Sequence, residues 1–198
     1  MISVILMMAG SGTRMNSSLN KVFLPLGSKL IYQYSLDLFL EMGYEVICVI
    51  KEEDQHKLQD YESKIKIAYG GKTRQESVYN GLKLATKKYT LIHDGARPFI
   101  SKENILKCEE GLNEGYAVLL GSSCKDSVYQ MTPLTNLNRE NLFNAQTPQG
   151  GSTIKLKQVH KMALDEDFKA TDDISLVLKY SNEIVKIIEG NDSNFKIT

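Results

Sequence analysis

Short apolar runs alternate along the chain with longer segments whose apolar residues recur at helical spacing. The apolar runs are ISVILMM, EVICVI, IKIAY, YTLIHD and YAVLLG, and the helical segments span residues 31–42, 53–62, 74–85 and 102–114. This alternation is typical of βαβ units. Because the runs are apolar almost throughout, we predict a mostly parallel sheet with helices on both faces, in one α/β domain.

Polar residues at the ends of these segments sharpen the prediction. Gly43 follows the first helical segment, Thr73 with Glu76 predicts a capping box, and Ser101 is a good N-cap.

From Cys124 to Gly151 the pattern changes to polar, turn-rich sequence with two prolines. We interpret this stretch as an excursion from the sheet, of the kind that carries function or an interface.

Composition excludes several classes of protein. The 198 residues include 24 basic and 24 acidic side chains, so the balance does not favour a general nucleic-acid or membrane surface. Three cysteines and three histidines show no CxxC or HxxxH spacing, which indicates neither a disulfide framework nor structural zinc, and fits a reducing, cytoplasmic setting. The apolar segment at the start of the chain is interrupted by Gly10 and Gly12, so it is too short for a signal peptide or a membrane span.

The stretch MMAGSGTRM follows directly on the first predicted strand. Ligands of open α/β sheets bind at the carboxyl ends of the strands, where glycines let backbone N–H groups approach an anion and Arg14 adds a planar cation. The dinucleotide fingerprint would need a third glycine at Met15, and the P-loop Gly-Lys-Ser/Thr is missing. The stretch therefore predicts a phosphate site of another kind, with an ordinary βα turn as the alternative.

Arginine is rare in this chain. Only Arg14, Arg74, Arg97 and Arg139 occur among 24 basic residues, each at a turn-rich or polar segment. Arginine is preferred over lysine where a phosphate is bound by two parallel hydrogen bonds. The four arginines therefore favour phosphate recognition, although Arg74 could simply open a helix.

Six motifs carry a resemblance to a known family. They are AGSGTRM with NKVFLPL, GGKTRQESVYNGL, HDGARPF, TPQ, ATDDIS and NFKIT. In this order they resemble the 2-C-methyl-D-erythritol 4-phosphate cytidylyltransferases, from residue 2 to the last. The resemblance implies a Rossmann-like nucleotidyltransferase fold, a homodimer with a protruding arm near residues 124–151, and transfer of CMP from CTP to methylerythritol phosphate, with release of pyrophosphate and help from Mg²⁺.

The resemblance also implies the roles of individual residues. Arg14 and Lys21 would lie along the triphosphate, and Lys196 would reach the α-phosphate. Nucleotide-binding positions would be Met8, Ala9, Gly10, Ser11, Gly12, Gly70, Gly71, Ser77, Asp94 and Gly95. Substrate-binding positions would be Asp94, Arg97, Ser127, Arg139, Thr147 and Thr171. Magnesium would be held mainly by the triphosphate, with Asp94 as a candidate to assist it and no dedicated metal site.

Simpler interpretations stand beside several of these roles. Lys21 and Lys196 could be ordinary solvated lysines, and Thr171 could be a helix N-cap. His93 is expected to be a strand-end histidine rather than a base, because a phosphate nucleophile is already ionised at neutral pH. The chain departs from the usual family pattern at Met7–Met8, where alanine or Pro-Ala is usual. It also departs at Ser127, usually threonine, and at Gly151, usually aromatic.

Two other functions compete with this interpretation. One is ribitol-5-phosphate cytidylyltransferase, an enzyme of the same fold. The other is a non-catalytic nucleotide-binding module, against which the joint presence of Arg14 and Lys21 argues. Family members continue through a further helix, whereas this sequence ends at Thr198, so Lys196 is expected near a free terminus. We further expect Arg139 to act in the partner subunit's site.

Overall fold

A seven-stranded sheet flanked by helices organises the computed structural model, which describes residues 1–10 and 20–197. The strands are β1 (Ile2–Met7), β2 (Pro25–Leu26), β3 (Lys29–Leu30), β4 (Glu45–Ile50), β5 (Ile65–Tyr69), β6 (Tyr89–Asp94), β7 (Ala117–Ser123), β8 (Val128–Met131), β9 (Leu134–Leu137), β10 (Phe143–Ser152) and β11 (Val185–Glu189). The helices are α1 (Ile31–Glu41), α2 (Arg74–Leu84), α3 (Lys102–Asn113), α4 (Thr153–Asp165) and α5 (Asp173–Tyr180).

The main sheet is mostly parallel, as predicted. Its strand order is β11-β7-β10-β6-β1-β4-β5, with β10 antiparallel to both of its neighbours. At the centre, Ile5 of β1 pairs with Ile47 on one side and Ile92 on the other. The carboxyl ends of β1, β4, β5 and β6 therefore meet at one edge, which is where a ligand binds in open α/β sheets.

The central strand β1 is buried on both faces. Val4 and Leu6 pack into a cluster with side chains of α1 and α3, whereas Ile5 packs into a second cluster with side chains of α2, α4 and α5. A strand between two helical layers needs apolar residues at every position, which is why ISVILM shows no polar alternation. The prediction of helices on both faces is confirmed.

The predicted excursion over Cys124–Gly151 is too long. Strand β10 begins at Phe143 and lies inside the main sheet, so only the hairpin of β8 and β9 and a 3-10 turn at Arg139–Asn141 leave it. The sequence of β10 hides its burial because its polar side chains bond inside the protein. Gln149, for example, accepts hydrogen bonds from the backbone N–H groups of Asp173 and Ile174. An internal polar strand has no apolar pattern to detect.

Local structure differs from the prediction in one further segment. Residues predicted as a helix over 53–62 form a 3-10 helix, Glu52–Tyr61, with only Asp54 and Leu58 buried. A segment with so few apolar side chains cannot form the apolar stripe that stabilises an α-helix on a sheet.

The predicted helix caps are partly confirmed. Ser101 caps α3, and the Thr73 hydroxyl accepts from the Glu76 backbone, but the Glu76 carboxylate accepts from Lys72 instead of completing a capping box. The N-cap of α5 is Asp172, so Thr171 is not the cap. Over residues 1–10 and 20–197, no helix combines the length and apolarity needed to cross a membrane.

Candidate active site

A cleft of about 620 Å³ lies at the carboxyl ends of β1, β4, β5 and β6. Many of the predicted site residues line it: Ala9, Gly10, Lys21, Gly70, Gly71, Ser77, Asp94 and Lys196. They come from five separate parts of the chain, so the fold brings together what the motifs only suggested. Arg14, Ser11 and Gly12 lie outside the described residues, and their predicted roles stay predictions.

Backbone hydrogen bonds hold the floor of the cleft together beyond the ends of the strands. The Met8 N–H donates to the Val49 carbonyl at 2.8 Å, and the Gly95 N–H donates to the Met7 carbonyl at 2.9 Å. A Cβ on Gly95 would come within 2.9 Å of the Met8 side chain. Met8 is fully buried, so Met8 and Gly95 support the floor from below and do not line the cleft.

The loop that contains Gly70 and Gly71 forms one wall. A Cβ on Gly70 would lie 2.7 Å from that of Ala9, so only glycine fits this close approach of two loops. The Ser77 hydroxyl accepts from the Gly71 N–H at 3.0 Å and donates to the Thr73 carbonyl at 2.8 Å. Ser77 therefore shapes the loop, which is a fixed backbone surface suited to a flat ligand such as a base.

Asp94 at the end of β6 faces three cations. Its carboxylate lies 2.9 Å from Lys196 Nζ, 3.6 Å from Arg97 Nε and 3.9 Å from Arg74 Nη2. Burial alone would raise the pKa of Asp94, but the charges of Lys196 and Arg74 outweigh it and lower the pKa below its ordinary value. The cleft as a whole has an excess of positive charge for an anion, since its lining holds two carboxylates, Asp94 and Glu52, and five cations: Lys21, Lys51, Lys72, Arg74 and Lys196.

A buried pair holds Asp94 from behind. The Thr147 hydroxyl accepts from the Asp94 N–H at 3.0 Å and lies 3.1 Å from His93 Nδ1, while His93 Nε2 lies 3.1 Å from the Arg97 carbonyl. Burial lowers the pKa of His93 to about 4, so the ring is neutral at pH 7. This supports the interpretation of His93 as a strand-end histidine. The buried Thr147 hydroxyl holds the backbone of Asp94 and does not line the cleft.

The segment that carries Lys196 is tied to the core. Buried Asn194 donates to the Gln146 side chain and to the Thr147 carbonyl, both at 2.9 Å. On the other side, Arg97 Nη1 donates to the Asn194 carbonyl at 2.7 Å, and the Ile197 N–H donates to the Ala96 carbonyl at 2.9 Å. These bonds place Lys196 beside Asp94 despite its position near the end of the sequence.

Arg74 has a partner that the sequence did not indicate. It opens α2 and lines the cleft, and its Nη1 and Nη2 donate to the two carboxylate oxygens of Asp173 at 3.1 and 2.7 Å. Asp173 lies 99 residues away along the chain. No pattern in the sequence links the two motifs that contain these residues, and only the fold, in which the first residues of α2 and α5 meet, reveals the pair.

The remaining predicted substrate residues lie elsewhere. Ser127 and Arg139 flank the β8–β9 hairpin and are exposed, with Arg139 Nη1 donating to the Lys125 carbonyl at 2.8 Å. Thr171 precedes the N-cap of α5. Among the described residues, the hairpin contributes nothing to the lining of its own chain's cleft, and Thr171 is likewise not part of it.

Carboxylates in the cleft are few. Asp94 and Glu52 line it, and in the part of the chain that the structure describes no three His, Cys, Asp or Glu side chains are grouped to hold a metal ion. A metal that arrives bound to a triphosphate, and keeps several waters, needs no such group. The donor set of the described cleft fits a metal that a ligand carries in, with Asp94 and Glu52 as the carboxylates that line it.

Comparison with known proteins places this arrangement in a family. Residues 2–198 match the family described as IspD, 2-C-methyl-D-erythritol 4-phosphate cytidylyltransferase. A protein of that name from Prochlorococcus marinus (strain MIT 9515) is 39% identical over 211 residues, covering 98% of this chain and 92% of the relative. One from Clostridioides difficile is 37% identical and covers 100% of this chain and 89% of the relative.

Solved structures agree with the sequence comparison. The 4-diphosphocytidyl-2C-methyl-D-erythritol synthase from Anaerococcus prevotii superposes with a TM-score of 0.89 at 31% identity, covering 100% of this chain and 92% of that one. The 2-C-methyl-D-erythritol 4-phosphate cytidylyltransferase from Thermus thermophilus gives 0.83 at 28% identity, covering 99% and 92%. The Rossmann-like fold prediction is confirmed, and the chain belongs to the family of 2-C-methyl-D-erythritol 4-phosphate cytidylyltransferases.

Proposed function

We propose that the cleft binds CTP and 2-C-methyl-D-erythritol 4-phosphate and transfers CMP from the first to the second. The observation that carries this assignment is the group of three cations around ionised Asp94, above a floor of close-packed backbone, in a chain of this family. Two polyanions must be aligned in such a reaction, and the excess of positive charge attracts both.

The chemistry is an in-line displacement at phosphorus. A phosphate oxygen of the acceptor attacks the α-phosphorus of CTP, the bond to the β-phosphate oxygen breaks, and pyrophosphate leaves with the electron pair. The attacking oxygen is already ionised at neutral pH, so no base is required. Lys21, in the cleft, and Arg14 oppose the charge that grows on the transferring and leaving groups, and Lys196 is the cation for the α-phosphate.

Backbone groups select the base. The wall at Gly70 and Gly71 and the floor at Ala9 and Gly10 bring backbone close together, and bonds from the Gly70 N–H to the Ile50 carbonyl and from the Gly71 N–H to the Ser77 hydroxyl fix the wall. A pocket fixed by such close contacts accepts a pyrimidine and would be overfilled by a purine. CTP is therefore the expected donor.

Mg²⁺ is the proposed cofactor, held mainly by the phosphates of CTP. When bound, it neutralises phosphate charge and orients the leaving pyrophosphate. Asp94 is the protein group that we propose would contact it, because the cations of Lys196 and Arg74 keep its carboxylate ionised. Lys21 and Lys196 would then align the acceptor phosphate with the α-phosphate of CTP.

A homodimer with shared sites is the proposed assembly. The β8–β9 hairpin exposes Tyr129, Met131 and Leu134, of which Met131 is 85% exposed. Exposed apolar side chains concentrated on one short hairpin are typical of an interface. We propose that this arm carries Arg139, Ser127 and the neighbouring polar groups into the partner's cleft, with Thr171 near the same acceptor site.

Mixing two inactive variants tests the shared site. Lys21→Ala and Arg139→Ala proteins should each be nearly inactive, yet random exchange makes about half the dimers mixed, each with one intact site, so activity should return to roughly a quarter of wild type. Lys21→Ala mixed with Asp94→Asn is the matched control, since both defects lie in one cleft and exchange restores nothing. No recovery in the first mixture, despite demonstrated exchange, would show that Arg139 serves its own subunit.

A cytoplasmic location is proposed from the cysteines. Cys48, Cys108 and Cys124 are free thiols, and burial raises the pKa of Cys48 and of Cys108 to about 12, which makes both unreactive. Free thiols are expected where the environment is reducing. Fractionation of cells that express the tagged chain would test this location, and recovery in an oxidising compartment would contradict it.

The substrates are tested by pyrophosphate release over a grid of nucleotides and acceptors. CTP with methylerythritol 4-phosphate should be faster than CTP with ribitol 5-phosphate, and CTP should be faster than ATP or GTP. Faster turnover with ribitol phosphate would assign the chain to the rival activity. Pyrophosphate from none of the pairs would support a non-catalytic nucleotide-binding module.

A further inference from the structure

We propose that Asp173, backed by His160, is a positioning residue that holds the Arg74 guanidinium in the cleft, separate from Asp94 and directed at the triphosphate. The inference rests on the proposed function. It concerns residues of α5 and α4 that do not line the cleft and reach it only through Arg74.

Arg74 lies between two carboxylates of different character. It makes two hydrogen bonds to Asp173, at 3.1 and 2.7 Å, but stays 3.9 Å from the nearer oxygen of Asp94. The Asp173 side chain is 2% exposed, whereas that of Asp94 is 12% exposed and borders the cleft. The less exposed carboxylate interacts more strongly with the same cation, so Arg74 stays with Asp173 and does not close on Asp94.

Asp173 itself is held firmly. Its backbone N–H donates to the Gln149 side chain at 3.1 Å, which ties the start of α5 to strand β10. His160 of α4 is fully buried, its Nε2 lies 3.4 Å from an Asp173 oxygen, and neither ring nitrogen has a hydrogen-bond partner among the described residues. His160 therefore packs against the same Asp173 oxygen, Oδ1, that accepts from Arg74 Nη1, and helps to bury the carboxylate.

The other end of Arg74 is available to a ligand. Its side chain is 37% exposed and lines the same cleft as Gly70 and Gly71. A guanidinium has five N–H donors, and the pair with Asp173 uses two of them. An arginine needed only to join two helices would not require an exposed face in the cleft. The planar guanidinium, held in place by Asp173, can therefore donate its remaining N–H groups to a phosphate oxygen.

Steady-state kinetics of Asp173→Asn test the proposal. The amide has the same shape but loses the charge, so Arg74 is freed to close on Asp94. The KM for CTP should rise at least about tenfold, the loss of affinity expected when one hydrogen bond between charged groups is removed from the triphosphate. Reduced folding alone lowers the apparent kcat and leaves KM unchanged. An unchanged KM for CTP would overturn the proposal.

Two further variants keep the test decisive if Asp173→Asn folds poorly. Arg74→Lys retains the charge but loses the planar set of N–H donors, and it should also raise the KM for CTP. Asp173→Asn combined with Arg74→Gln should match Arg74→Gln alone within about twofold, because Asp173 acts through Arg74. Multiplied effects in the double variant, or a wild-type KM in Arg74→Lys, would refute the positioning role.

Glu45→Gln is the matched control, since Glu45 is another poorly exposed carboxylate paired with a cation, Lys66, but at the opposite edge of the sheet. It should lower thermal stability and leave the KM for CTP unchanged.

His160→Phe, which keeps a ring but removes both nitrogens, should raise that KM less than Asp173→Asn does. If the wild type releases no pyrophosphate from CTP and methylerythritol phosphate, the proposed function fails. An active wild type with unaffected variants refutes the positioning role alone.

Discussion

Two carboxylates at opposite ends of the strands of the main sheet show how differently a carboxylate is used. The side where the parallel strands begin is called the amino edge, and the side where they end the carboxyl edge. At the amino edge, Glu45 accepts from the Ser3 hydroxyl, from the Thr86 N–H and hydroxyl, and from Lys66. At the carboxyl edge, Asp94 faces Lys196, Arg97 and Arg74. Glu45 is neutralised by one cation and several neutral donors, whereas Asp94 is outnumbered by cations.

This difference separates a structural carboxylate from a functional one. The hydrogen bonds and Lys66 oppose the burial of Glu45 and lower its pKa to about 2, and they satisfy it completely within the fold. The Asp94 cluster retains unused positive charge beside an open cleft. A charge imbalance that a fold leaves beside a cleft is a better indicator of a ligand site than a lowered carboxylate pKa, which both residues share.

Removing a lysine at each edge should give the largest contrast. Lys21→Ala should lower kcat at least about 100-fold, because its charge opposes charge that develops in the transition state. Arg14→Ala is expected to act in the same way. Lys66→Ala, at the Glu45 site, should leave kcat and KM unchanged. Initial-rate kinetics of the three variants decide the matter, and a near-normal kcat for Lys21→Ala would refute its catalytic role.

Acid should destabilise the two edges in different pH ranges. The pKa of His93, behind Asp94, is about 4 in the folded chain against an ordinary 6.5, so the unfolded chain binds more protons between these values. The contribution of neutral His93 is complete above pH 6.5 and lost as pH falls to about 4, by up to about 3 kcal/mol. Glu45, lowered from 4.5 to about 2, contributes above pH 4.5 and loses its contribution toward pH 2.

Urea unfolding across pH can separate these two contributions. His93→Gln should flatten the stability curve between pH 6.5 and 4, and Glu45→Gln should flatten it below pH 4.5. Identical curves for the two variants would mean that neither group titrates as its surroundings indicate.

Exchanging the carboxylates for amides should lower activity at one edge only. Asp94→Asn should lower kcat/KM about tenfold or more by removing the anion that organises the three cations, and it should also lower stability, because those cations lose their counter-charge. Glu45→Gln should lower the free energy of unfolding by about 2 kcal/mol, the usual value for hydrogen bonds to a charged group. Paired kinetics and urea titrations measure both, and full activity in Asp94→Asn would contradict its placement in the site.

Two glycines offer the smallest contrast. A Cβ on Gly70 would meet that of Ala9 at 2.7 Å, whereas one on Gly151, near the amino edge of β6, would meet nothing closer than 3.6 Å. Gly70→Ala should raise the KM for CTP several-fold by shifting the wall of the cleft. Gly151→Ala should have no effect on KM. Equal KM values in both variants would place the base elsewhere.

The fold was largely predictable because its strands are buried on both faces. Runs such as those of β1 and β4 are apolar at nearly every position, which indicates a parallel sheet without reference to any partner. The position of β10 was not predictable, because Gln146, Thr147 and Gln149 satisfy their polar groups through residues distant in the sequence. A polar strand resembles a loop until its partners are known.

The sequence by itself determined the class of fold, the glycine-containing turns at the ends of the strands, and the short set of arginines and lysines from which the site is built. Only the tertiary structure decided which of them meet. Asp94 with Lys196, and Arg74 with Asp173, are each joined across about half of the chain. Local periodicity reports the burial of one segment, whereas an ion pair depends on how separate segments pack. Electrostatic pairing is therefore the part of the site that sequence patterns could not supply.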